Sequence, residues 1–158
     1  MKQGMITFIA VLFLLSLDAH AQEGGLLVEG SGIISKASTY SVRETMDRLE
    51  AAARSDGLTI FARIDFLEIS KQAGVEIRPN QLLILGRGRS TPAMLAEAPM
   101  SAIDLPFKAL VWEDSKGKVW LSYTNGSYLL KKYAIKSAAA NAKNVDATFE
   151  RISNAALQ

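Results

Sequence analysis

The chain has 158 residues, 49% of them hydrophobic, and its 18 Lys and Arg against 16 Asp and Glu give a formal net charge of +2. So small an excess excludes the basic signature of a nucleic-acid binder. There is no cysteine and the one histidine is His20, so disulfides are excluded and core burial must supply the stability.

The N-terminus predicts export. Lys2 gives a short positive start, Met5 to Leu17 is an apolar run, and Ala19-His20-Ala21 is an A-x-A cleavage pattern before Gln22. This is the layout of a secretory signal peptide over 1–21, which makes the mature protein periplasmic. The run is short of the ~20 residues that span a bilayer. No second long apolar run follows, so the mature chain is expected to be soluble, with no membrane partner. Cleavage would also remove His20. A chain without imidazole or thiol cannot build a Ser–His–Asp triad, a Cys–His pair, or a zinc or copper site ligated by His or Cys. A hard-cation site of carboxylates and carbonyls stays open. No cofactor and no metal is assigned.

Residues 22–35 read as a flexible, glycine-broken lead-in, with a strand expected around Ile33 to Ala37. Ser41 and Glu44 form an S-x-x-E capping box that opens a helix. Val42, Met46, Leu49 and Ala53 repeat at helical spacing, and Gly57 ends the run. Arg43, Glu44, Asp47, Arg48 and Glu50 read as its solvated face. Leu58 to Asp65 alternates like a strand, with Ile60, Ala62 and Ile64 on one side and Phe61 and Arg63 on the other. Phe66 to Ala73 fits a short helix capped by Asp65 and followed by Gly74. Val75 to Arg78 is extended ahead of Pro79, and Gln81 to Leu85 is apolar enough for a central strand.

Gly86 to Ser90 is a loop, and Thr91 caps a helix with Pro92 at its first position. That helix stops before Pro99. Phe107 to Glu113 and Val119 to Tyr123 form a hairpin around Ser115-Lys116-Gly117-Lys118. Asn125-Gly126 reads as a further turn and Ser127 to Tyr133 as a helix. Ile135, Ala138, Ala142, Val145, Phe149, Ile152 and Ala156 recur at spacings of three and four, an amphipathic helix with a heptad-like seam. The seam suits packing on the protein's own sheet; a dimer contact is the alternative.

Four pieces carry a resemblance: SVRETMDRLEAAARSDGLTIFARID, IRPNQLLILG, STPAM and DLPFKALVWEDSKGKVWLSY. In order and spacing they resemble domain-of-unknown-function family 302, over about Ser41 to Tyr133. The resemblance implies an α+β domain: an antiparallel sheet with helices packed on one face, similar to the TATA-box-binding-protein-like fold, here with a C-terminal amphipathic helix added. The division that follows is 1–21 signal peptide, 22–35 lead-in, 36–134 family domain and 135–158 helical extension. Homodimers would fit the family. Many relatives carry a histidine after the aspartate matching Asp65, where this chain has Phe66. Many carry Asn-Pro where it has Arg87-Gly88. The family brings no settled activity, and a fold does not transfer one.

The best binding candidate is the loop Arg87, Gly88, Arg89, Ser90 and Thr91. It joins a strand to a helix, and its glycines, amides and arginines suit an anion. It lacks the Walker spacing. Asp65, Arg78 and Trp112 complete the ligand-binding candidates. Arg63, Arg78 and Lys108 could mark a polar sheet face for an acidic ligand. Asp65, Glu76, Asp104, Glu113 and Asp114 could pair for acid–base work, but nothing in the sequence fixes their distances. Trp112, Trp120 and Tyr123 could line a groove or simply pack across the hairpin. No catalytic residue is assigned. The reading is a non-catalytic domain binding a small ligand or protein partner in the periplasm, with no nucleic acid. The alternatives are a carboxylate- or cation-dependent hydrolase and a homodimeric assembly component.

Overall fold

Ser41 separates the first strand from the first helix. Its backbone is extended and its hydroxyl accepts from the Glu44 amide at 3.2 Å, satisfying one of the donors a helix start leaves over. The computed structural model describes residues 30–87, 91–136 and 139–158. In chain order these form β1 (Ile33–Ser38), α1 (Val42–Ser55), β2 (Thr59–Asp65), α2 (Phe66–Gln72), β3 (Asn80–Gly86), α3 (Thr91–Glu97) and a 3-10 turn (Pro99–Ile103). β4 (Phe107–Glu113), β5 (Val119–Thr124), α4 (Gly126–Lys132) and α5 (Ala139–Leu157) follow. The signal peptide, most of the lead-in before β1 and Ala138 fall outside the described residues. Among the described residues no helix is long and apolar enough to cross a membrane.

The fold is α+β. All strand pairs are antiparallel and the sheet order is β1-β5-β4-β3-β2. Period-two alternation gives this sheet two unlike faces. One buries Leu83, Leu85, Phe107, Ala109, Val111, Val119, Leu121 and Tyr123. Val42, Met46, Leu49 and Ala53 of α1 and Phe149, Ile152 and Ala156 of α5 close over it. The C-terminal seam therefore packs within its own chain, on α1, α4 and the sheet. The other face carries Leu82, Ile84, Leu110 and Trp112, all part-exposed.

Four sequence expectations need correction. A β-bulge between Ile60 and Ala62 interrupts the alternation of β2. Ile60 and Arg63 consequently share the helix-covered face, opposite Leu85 and Leu83, while Ala62 and Ile64 pair with Ile84 and Leu82 on the other. Arg63 there reaches Asp47 at 2.5 Å and Glu50 at 3.4 Å, so part of the expected solvated face of α1 is tied to the sheet. Arg63 and Lys108 thus lie on opposite faces, and Arg78 precedes β3, which dissolves the expected polar sheet face. Asn125-Gly126 is no free turn: the Asn125 side chain accepts from the Tyr128 amide at 3.1 Å and caps α4.

Candidate functional site

The end of α1 shapes one wall of a cleft. Asp56 is its C-cap, and Gly57 follows with φ +75°, a left-handed value that glycine adopts without strain. The Leu58 amide then donates to Ala53 and the Gly57 amide to Arg54, the double bond of a Schellman ending. This turn leaves the Asp56 carboxylate at the rim and directs Leu58 inward. β3 ends opposite at Leu85, Gly86 and Arg87, β4 begins with Phe107, and the middle of α5 supplies Asn144, Val145, Ala147, Thr148, Phe149 and Arg151. Together they enclose about 480 Å³, within the range of small-ligand sites.

The floor is apolar. Phe149 stands edge-on to Phe107 with centroids 5.6 Å apart, beside Leu58 and Leu85. The mouth is charged. Arg87 Nη2 donates to the Asp56 carbonyl at 2.8 Å and to Asp56 Oδ2 at 2.5 Å, and Arg151 Nε donates to Asp56 Oδ1 at 2.7 Å. One carboxylate therefore bridges two guanidiniums. The Arg151 bond, helped by Arg87, holds Asp56 below the usual carboxylate range against the opposing effect of its partial burial.

Of the residues singled out by sequence, only Arg87 reaches this cleft within its described lining. Gly88, Arg89, Ser90 and the Thr91 side chain lie outside what the structure describes. Asp65, Arg78 and Trp112 sit at the opposite end of β3 from Arg87. Asp65 caps α2 through the Glu68 amide and accepts from Gln81 Nε2 at 2.7 Å. Arg78 pairs with Glu113 at 3.1 Å. Trp112 stands directly across from Trp120 and donates to Ser122 Oγ at 2.9 Å. The candidate acids are likewise dispersed. Lys132 and Tyr133 donate to Asp104 and lower its pKa. The Trp120 indole and the Lys118 and Lys116 amides do the same for Asp114. Among the described residues no three acidic side chains converge as metal ligands would.

Sequence reasoning missed Asp56 and Arg151, whose contact spans 95 positions. It also placed Phe149 in a seam without seeing its second role as cleft floor.

The family model described as "Domain of unknown function DUF302" matches residues 34–156. The chain belongs to the DUF302 family. The DUF302 match runs from β1 through α5, so it includes every cleft residue named above. The chain is 34% identical over 105 residues to "Fluoride-specific ion channel FluC 1" of Brucella suis biovar 1, covering 66% of this chain and 41% of that protein. It is equally similar to "Fluoride-specific ion channel FluC 2" of Brucella melitensis biotype 1, of which it covers 39%. The chain thus spans about two fifths of the length of these curated relatives. The crystal structure of an uncharacterized conserved DUF302 protein from Bacillus stearothermophilus superposes with a TM-score of 0.63 at 18% identity, over 80% of this chain and 96% of that one. That likeness is one of fold.

Proposed function

We propose that this DUF302 protein is a non-catalytic binding domain of the bacterial periplasm, taking a small, largely apolar ligand into the cleft beneath α5. The observation that carries the reading is a cleft lined mainly by aliphatic and aromatic side chains, with the half-exposed Arg87 and Arg151 as its charged members among the described residues. Pockets that bind small molecules share that division: apolar contact supplies affinity and a few polar groups fix orientation. The hydrolase alternative pairs two carboxylates on one substrate, and the candidate acids are dispersed among the described residues, which favours the binding reading. The export pattern of residues 1–21 supports the compartment.

The neutral probe N-phenyl-1-naphthylamine, whose fluorescence rises on leaving water, tests this. Asn144 is exposed at the mouth, so Asn144→Trp should fill the cleft, abolish the fluorescence rise and leave the melting temperature nearly unchanged. A variant that binds the probe as well as the parent would overturn the reading.

The Brucella relatives favour a second reading, in which the domain serves a protein that handles fluoride. Amide resonances that shift on titration with sodium fluoride, but not with sodium chloride, would support it. Spectra unchanged by fluoride would end it.

A further inference from the structure

We propose that the end of the molecule built from α3, the 3-10 turn, α4 and the start of α5 docks on an anionic phospholipid surface, with Met100 and Ile103 entering the headgroup region and Lys131, Lys136 and Lys143 meeting the lipid phosphates. This surface is separate from the cleft and does not depend on it. Met100 is 79% exposed and Ile103 77%, the two most exposed large hydrophobic side chains among the described residues. They stand three apart in a 3-10 turn, where side chains at that spacing eclipse, so both leave the turn on one side. Ser101 between them is buried. The turn is fastened: the Ser101 amide donates to the Ala98 carbonyl at 2.9 Å, the Asp104 amide to Ser101 at 3.1 Å and the Leu105 amide to Ala102 at 3.2 Å. Single apolar residues on a surface are ordinary. A pair held outward by a fixed turn is an apolar surface in want of a partner.

Lysines surround the turn. A small second core of Met94, Leu130, Ile135 and Ala142, with Ala98, Leu105 and Tyr133 packed on it, joins α3, the turn, α4 and α5. Three of its buried members are each followed by an exposed lysine: Lys131, Lys136 and Lys143. None of the three pairs with a carboxylate among the described residues. Lys132 Nζ and the Tyr133 hydroxyl both donate to Asp104, next to Ile103, and the Lys136 amide donates to Glu97 Oε1 at 2.7 Å. These bonds hold the lysine-bearing segment against the turn. From Ser115 to Val145 the chain has six lysines and no acid. Charge complementarity therefore selects an anionic partner, and Met100 and Ile103 select one with an apolar layer beneath its charge. A phospholipid bilayer has both. The exposed apolar group at the other end, Ile69, Val75 and Ile77, lies beside Glu68 and Glu76, which an anionic surface repels. The sequence expectation of no membrane partner rested on the lack of a spanning segment; docking on the surface needs none.

The chain has no cysteine, so Met100→Cys, Ile103→Cys and, as a control, Val75→Cys each give the full chain one site for the polarity-sensitive dye NBD. Phosphatidylcholine vesicles carrying about 30% phosphatidylglycerol should shift the dye emission of the Met100→Cys and Ile103→Cys variants to the blue, whereas phosphatidylcholine alone should not. The Val75→Cys variant should respond to neither. The apolar run from Met5 to Leu17 meets charged and neutral vesicles alike, so the difference between the two reads the lysines. Raising sodium chloride from about 20 mM to about 500 mM should reverse the shift. Lys131→Gln with Lys136→Gln should weaken vesicle binding about 25-fold, roughly fivefold for each lysine, and leave the melting temperature unchanged. Dyes that ignore phosphatidylglycerol, or that respond equally to neutral vesicles, would overturn the proposal. So would an unaltered vesicle affinity in the lysine double variant. A blue shift that appears without vesicles and grows with protein concentration would overturn it too, and would mark a second copy of the chain as the occupant.

Discussion

Tyr123 of β5 and Phe149 of α5 stack with ring centroids 4.9 Å apart and planes 16° from parallel. The same Phe149 ring meets Phe107 edge-on, so one side chain ties α5 to two strands and also floors the cleft. Phe149→Ala should cost about 3–5 kcal/mol, the range for deleting a buried aromatic, read from urea unfolding. Tyr123→Phe keeps the ring and should cost far less. A loss below about 1 kcal/mol for Phe149→Ala would mean that α5 is not held through this ring.

The bridge at Asp56 has a pH signature. Its carboxyl lies below the ordinary 3.8, chiefly because Arg151 donates to it. A carboxylate lowered by folding adds stability above its unfolded pKa and gives it up as pH falls through the folded value. Asp56→Asn should therefore melt below the parent at neutral pH, with the difference closing below about pH 4. Melting temperatures from neutral to strongly acid pH check this; a difference that stays constant across the range would contradict it.

Gly126 is constrained by space. A Cβ there would lie 2.9 Å from Val145 Cγ1, 3.0 Å from Val145 Cβ and 3.1 Å from Asp146 Oδ1. Val145 is β-branched and stiff at χ1, and the Gly126 amide donates to that same Asp146 oxygen at 2.5 Å, so neither neighbour yields easily. Gly126→Ala should cost about 1–3 kcal/mol by pushing α4 from α5, even though alanine is ordinarily the better helix former. An unchanged or raised melting temperature would refute the close approach.

Gln81 is buried and divides its amide between two charges. Its Nε2 donates to Asp65 Oδ2 at 2.7 Å, and its Oε1 accepts from Arg63 Nη2 at 2.7 Å. Gln81→Met keeps the size and removes both bonds, so a loss of about 1–3 kcal/mol is expected from the polar groups left behind. A neutral effect would show that water replaces the amide at no cost.

Local chemistry was legible from the sequence wherever one short segment settles it. Ser41 and Asp65 cap their helices as the capping pattern implies, Gly57 and Gly74 take positive φ after α1 and α2, and Trp112 meets Trp120 across the hairpin. The family pattern supplied the antiparallel sheet and its helical cover. The bulge at Ile60 and Ala62 was invisible because nothing in TIFARID marks the extra residue. The cleft was half legible. Arg87 stood out through its glycine-flanked loop, whereas Asp56 lies in an ordinary helix ending and Arg151 on the polar side of a long helix. Their meeting depends on how α5 crosses α1, which no local pattern encodes.

The most direct test of the central claim is to follow the backbone amides of the isotope-labelled protein by NMR while adding N-phenyl-1-naphthylamine. The cleft account predicts saturable shifts at Leu58, Gly86, Arg87, Phe107 and the turn of α5 from Asn144 to Arg151, with Trp112 and Trp120 on the other sheet face undisturbed. Shifts centred on the two tryptophans, or none that saturate, would contradict it.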